Sequence, residues 1–211
     1  MSFIANLVAA GARGLAGASA RWFDCRPEPR QRVYFANHTS HLDFVVLWSV
    51  LPRNLRAQTR PVAAKDYWQS GIRRHLAVNV FHAILVERNA AASGEDKMQS
   101  ARRALEILED ALELGCSLII FPEGTRGRGN EVGPFKSGIY HLWSKQPHVQ
   151  FVPVYLANLN RVLPKGEVLP VPFISRVAFG PPLERASGSS AETKESFLRR
   201  AREALCALQH A

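Results

Sequence analysis

Cysteine is scarce in this chain of 211 residues, which holds three, Cys25, Cys116 and Cys206. An odd count without metal-ligand spacing argues against a disulfide framework and against a bound metal, and it points to a reduced, cytoplasmic protein. No apolar run is long enough to cross a bilayer: Phe3 to Ala12 is apolar apart from Asn6, and Arg13 ends it. A secretory signal would carry a basic stretch ahead of that run, and none is present, although Ala18-Ser19-Ala20 imitates a cleavage site. Zinc-finger spacing, an aromatic RNA-binding strand and a compact basic run are all missing, so nucleic acid is not the expected partner. The glycine-lysine-hydroxyl ending of a phosphate-binding loop is absent, which argues against kinase-type phosphoryl transfer.

What remains is ordinary for a globular protein, with 46% apolar and 21% charged residues. One domain accommodates this length and its core. The formal net charge of +9 is mostly arginine, dispersed along the chain, and favours a polyanion. With nucleic acid set aside, an anionic membrane surface is the expected partner, at the cytoplasmic face and bound peripherally. Phe3, Ile4, Leu7, Val8, Leu15, Trp22 and Phe23, with Arg13 and Arg21, predict an N-terminal amphipathic helix over residues 1–24. It would lie in the membrane interface or dock on the core. Residues 25–211 form the remaining domain.

Strand and helix patterns alternate without repeats. Arg32 to Ala36, Ala83 to Val86, Ser117 to Phe121, Val149 to Leu156 and Ile174 to Phe179 read as strands, and Pro61 to Ala64 more weakly so. Phe44 to Leu51, Tyr67 to Val80, Asp96 to Leu114 and Ala191 to Leu208 read as helices. In the third of these, Met98, Ala101, Leu105, Leu108 and Leu112 make one stripe that Gly115 ends. This order predicts an α/β fold, a single mixed and largely parallel sheet flanked by helices.

Two polar islands interrupt that pattern, Asn37 to Asp43 (NHTSHLD) and Phe121 to Gly127 (FPEGTRG), each expected at the C-terminal end of a strand. His38 and Asp43 would diverge on a continuous helix, where five residues turn about 500°. They converge only if the segment turns into a helix, and Ser40-x-x-Asp43 fits a capping box with Ser40 as N-cap. Asp43 could then be a cap alone and His38 a loop residue. In the second island, Gly124 admits a close backbone approach, Arg126 can grip a phosphate, and Glu123 can hold that arginine or bind hydroxyls. Thr125 adds a hydroxyl and Lys136, in Phe135-Lys136-Ser137-Gly138, a second cation. A base with an orienting carboxylate beside an anion clamp suits group transfer onto a hydroxyl of a phosphorylated acceptor.

Taken in order, NHTSHLD, AILVER ending in Arg88, FPEGTRG with FKSG, and Val152-Pro153-Val154 resemble the four sequence blocks of the glycerolipid acyltransferases, most closely the 1-acyl-glycerol-3-phosphate branch. The resemblance implies His38 as general base and Asp43 as its orienting partner. It implies that Arg88, Glu123, Gly124, Thr125 and Arg126 bind the glycerol phosphate of a lysophospholipid acceptor. Val152 to Val154 would form the donor side or floor. The donor would be acyl-CoA or acyl-carrier protein, with no other cofactor. The family often has glycine six residues before the arginine of the second block, where this chain has His82. Other acceptors (lysophosphatidylethanolamine, a lyso-ornithine lipid), transacylation, an acyl-serine on Ser40, and a catalytically silent membrane-binding role stay open.

Overall fold

In the computed structural model, which describes residues 3–40, 42–87, 94–127, 131–159, 174–185 and 192–210, the strands are β1 (Ser19–Trp22), β2 (Arg32–Ala36), β3 (Thr59–Ala64), β4 (Ile84–Val86), β5 (Ser117–Ile120), β6 (Gln150–Ala157) and β7 (Arg176–Phe179). The helices are α1 (Phe3–Leu15), α2 (Asp43–Val50), α3 (Arg53–Gln58), α4 (Lys65–Trp68), α5 (Gly71–His75), α6 (Glu95–Glu113), α7 (Gly138–Lys145) and α8 (Lys194–Ala207), with a π-helical turn at Leu76–Val80. The strands make one seven-stranded sheet in the order β1-β7-β6-β2-β5-β3-β4. Every neighbouring pair is parallel except β6 with β7. The expected α/β sheet flanked by helices is therefore what the chain forms.

Strand β2 is buried at all five positions, as a central strand covered on both faces must be. Successive side chains alternate between faces. Val33 and Phe35 join the cluster beneath α6, α7 and α8, with Leu108, Leu142 and Phe197. Tyr34 and Ala36 join the opposite cluster with Ala5, Ala9, Leu47 and Trp48 of α1 and α2. The buried Cys25 thiol is pushed upward in pKa by burial, partly offset by Arg32, which leaves it an inert core group.

Four sequence expectations are corrected. The N-terminal helix stops at Leu15, not residue 24: Ala18 N–H donates to Arg13 C=O and Gly17 N–H to Gly14 C=O, a Schellman end with Gly17 at φ 50°. Ser19–Trp22 then becomes an edge strand paired with Arg176–Phe179, so part of the proposed N-terminal segment belongs to the sheet. The pattern over Tyr67 to Val80 breaks at Ser70 into α4, α5 and the π turn, with Gly71 at φ 58°. The N-cap before α2 is Leu42, not Ser40; the Ser40 hydroxyl accepts the Leu42 N–H instead. Helices α3 and α7 were not anticipated.

Helix α1 sits with small residues inward and large ones outward. Ala5 and Ala9 are buried, whereas Phe3 is 82% and Leu7 63% exposed. Polar bonds hold this orientation: Asn6 Oδ1 accepts from Arg56, and Arg13 donates to the Ser49 carbonyl. Of the two alternatives for the helix, docking on the core is what the chain forms, and the large apolar side chains of its other face stay exposed. Among the described residues no helix is long and apolar enough to cross a membrane.

Candidate active site

The register of β2 on β5 pairs Phe35 with Ile120, so the chain leaves both strands side by side at the same end of the sheet. Residues 37 and 121 onward therefore meet without either loop having to be long. Asn37, buried at the exit of β2, bonds through both side-chain atoms to the N–H and C=O of Leu156, at 2.7 and 3.0 Å. That amide ties the first island to β6. No role was assigned to Asn37 from sequence, although a polar side chain directly after a fully apolar strand is the available signal.

His38 Nδ1 lies 2.8 Å from Asp43 Oδ2. The same oxygen accepts the backbone N–H groups of Thr39 at 2.6 Å and Ser40 at 2.8 Å. Asp43 is the first residue of α2 and reaches back over the turn to the Ser40 N–H, the bond the anticipated capping box would make, although Leu42 is the N-cap. The cap and orienting readings of Asp43 are thus one arrangement. Three donors converge on one oxygen, and the carboxylate can only accept, so the shared proton is assigned to Nδ1 and the lone pair to Nε2. The His38 ring stacks on Phe121, centroids 4.4 Å apart, and is mostly enclosed.

The second island is bonded to the first through the backbone of His38. Glu123 Oε1 accepts the His38 N–H at 2.8 Å, and Gly127 N–H donates to the His38 carbonyl at 2.8 Å. Glu123 Oε2 accepts the Gly133 N–H at 2.9 Å. Gly124 adopts φ 71°, a left-handed conformation that favours glycine. A Cβ there would fall 2.6 Å from Lys136 Nζ, because the lysine stem lies across the glycine. Thr125 is exposed, Arg126 is half-buried, and neither Arg126 nor Lys136 has an ion-pair partner among the described residues. Arg88 lies outside the described residues, as does His41. Val152, Pro153 and Val154 are buried within β6, paired with Tyr34, Phe35 and Ala36 of β2.

Beside these loops a cavity of about 760 Å³ runs between α6, α7 and the ends of β3 and β5. Phe121, Gly124 and Lys136 stand at one part of its wall, and Met98, Ala101 and Leu105 at another. The α6 stripe read as core-facing thus buries Leu108 and Leu112 but turns its first half to this opening. Phe121 lines the cavity and stacks on the His38 ring, so one aromatic side chain connects the apolar space to the imidazole. His82 stands on the surface at φ 48°, so the position where the family often has glycine does require a left-handed backbone. Among the described residues no group of three or more His, Cys, Asp or Glu side chains could hold a metal ion.

An αβ sheet with a His-x-x-x-x-Asp pair at the end of one strand and Glu-Gly-Thr-Arg at the end of its neighbour defines a class, and comparison with known proteins agrees. The model of the Acyltransferase family matches residues 24–157. The chain is 33% identical over 157 residues to a 1-acyl-sn-glycerol-3-phosphate acyltransferase of Limnanthes douglasii, covering 73% of this chain and 50% of that protein. It is 27% identical over 141 residues to the human 1-acyl-sn-glycerol-3-phosphate acyltransferase alpha, covering 67% and 46%. The crystal structure of the 1-acyl-sn-glycerophosphate acyltransferase PlsC from Thermotoga maritima has the same fold, with a TM-score of 0.71 at 17% identity, covering 98% of this chain and 79% of that one. This chain belongs to the acyltransferase family, in its glycerolipid group. It spans about half the length of the curated relatives it matches.

Proposed function

We propose that this protein transfers a fatty acyl chain from an acyl thioester to the free hydroxyl of a lysophospholipid, with 1-acyl-sn-glycerol-3-phosphate as acceptor and phosphatidic acid as product. The observation that carries the reading is the 2.8 Å contact between His38 Nδ1 and Asp43 Oδ2. It leaves Nε2 as the proton acceptor. In the proposed step Nε2 takes the hydroxyl proton as that oxygen attacks the thioester carbonyl. The tetrahedral intermediate then collapses, and the departing thiolate of acyl-CoA or acyl-carrier protein recovers the proton from Nε2. Asp43, whose one oxygen is held by His38 Nδ1 and the N–H groups of Thr39 and Ser40, stabilises the imidazolium between these events. Ser40 is turned to local backbone bonding, which favours direct transfer over an acyl-serine.

Arg126 and Lys136, cations without carboxylate partners among the described residues, support a phosphorylated acceptor bound at the second island. The family relatives support the same acceptor by their names. An apolar opening walled by Phe121, the ring that stacks on His38, suits the acyl chain of a substrate whose reacting groups must reach Nε2. The exposed Phe3, Ile4 and Leu7 of α1 and the net positive charge favour peripheral binding to an anionic membrane, where the acceptor resides.

The test is a screen of purified protein with lysophosphatidic acid, lysophosphatidylethanolamine and a lyso-ornithine lipid, each offered acyl-CoA or acyl-carrier protein, read by mass spectrometry. Phosphatidic acid should form fastest, and His38→Ala should lower turnover roughly 10²–10⁴-fold. Near-full activity of His38→Ala would refute the general-base step. Product formed without any thioester would mark a transacylase.

A further inference from the structure

We infer that Glu123 and Gly127 are positioning residues that clamp the backbone of His38 from both sides, and that Glu123 is not a ligand of the acceptor. The inference rests on His38 being the proton acceptor proposed above. His38 lies between β2 and α2, where neither a strand ladder nor a helix supplies partners for its peptide groups. Its N–H is taken by Glu123 Oε1 and its C=O by Gly127 N–H, each at 2.8 Å. The other carboxylate oxygen of Glu123 is occupied by Gly133 N–H at 2.9 Å. Glu123 is only 7% exposed, so both oxygens are spent on protein donors and little of it is open to substrate. The fit is close: a Cβ on Gly133 would stand 2.9 Å from Glu123 Oε2.

The two holds on His38 act on different degrees of freedom. Asp43 sets the rotation of the ring, whereas the Glu123–Gly127 clamp sets where the α-carbon stands and which way its side chain leaves. Nε2 reaches a fixed point only when both are in place. A shift of about 1 Å at such a point lowers turnover by as much as ~10²-fold without weakening ground-state binding.

Glu123→Gln tests this at constant shape. Both partners of the carboxylate are N–H donors, so the amide nitrogen must face one of them and one bond is lost. The expected result is a fall in kcat of roughly 10–10²-fold per folded molecule, with the KM for lysophosphatidic acid changed by less than about twofold. In a His38→Ala background the same change should add almost nothing to the residual rate, since the residue acts through His38. Gly133→Ala, which keeps the charge but displaces Oε2, should lower kcat in the same way, and it carries the test if Glu123→Gln does not fold. A raised acceptor KM at unchanged kcat, an unchanged kcat per folded molecule, or a loss that multiplies with His38→Ala would overturn the clamp. Full activity of His38→Ala by itself would overturn the general-base reading instead, so the two failures are separable.

Discussion

Asp43→Asn probes the site with no change in shape. The side chain is fully buried, and one oxygen serves His38 Nδ1, Thr39 N–H and Ser40 N–H. With the amide oxygen facing those three donors, each bond loses its charge assistance, which roughly halves its strength. The amide nitrogen must then replace Oδ1, which is buried and has no hydrogen-bond partner among the described residues. A buried donor left unpaired costs about 1–3 kcal/mol. For a domain of this size that is a fall in Tm of roughly 2–12 °C, small enough to leave folded protein at assay temperature. The effect on turnover should be much larger. A neutral partner neither opposes the wrong imidazole tautomer nor stabilises the imidazolium, and losses of ~10²–10⁴-fold are expected in kcat. Initial rates with saturating lysophosphatidic acid and varied acyl-CoA separate these quantities when set beside a thermal melt. A kcat within about threefold of the parent in a folded Asp43→Asn protein would refute the assignment, because structural capping alone would be preserved by asparagine.

Gly124→Ala should weaken acceptor binding more than turnover: its φ of 71° disfavours a side chain, and the new Cβ must displace Lys136 Nζ from 2.6 Å. Acceptor KM rising several-fold with a Tm drop of a few degrees is the expected pattern, measured by steady-state kinetics and melting. Leu7→Glu with Phe3→Glu should lower binding to phosphatidylglycerol vesicles roughly a hundredfold or more, since both side chains are exposed on α1 and each apolar burial is worth about 1.5–3 kcal/mol. Cosedimentation with vesicles checks this, while turnover of a short-chain, micelle-free acceptor should stay the same. His82→Gly relieves a left-handed residue at φ 48° and should raise stability by up to about 1 kcal/mol, read by denaturant unfolding. Lower stability would mean that the histidine side chain holds more than its backbone strain loses.

Sequence alone determined the parts whose causes are local. The apolar runs that became β2 and β5, the stripe of α6 with its Gly115 stop at φ 79°, the buried face of α8, and the turn that lets Asp43 reach His38 all depend on neighbours a few residues away. Trp22 and Phe23 misled for the same reason: they extend an apolar helical pattern, and only pairing with Arg176–Phe179 makes Ser19–Trp22 a strand. Tertiary structure decided what depends on register. Glu123 looks like a loop acid beside an arginine until β2 and β5 align and bring its carboxylate to the N–H of His38, a residue 85 positions away. The cavity beside Phe121 and the tie from Asn37 to Leu156 arise in the same way, from side chains and backbone groups that the parallel sheet brings together. Hydrogen-bond partners within a turn are written in residue order, whereas partners across strands are chosen by the packing of both sheet faces, which no single segment carries.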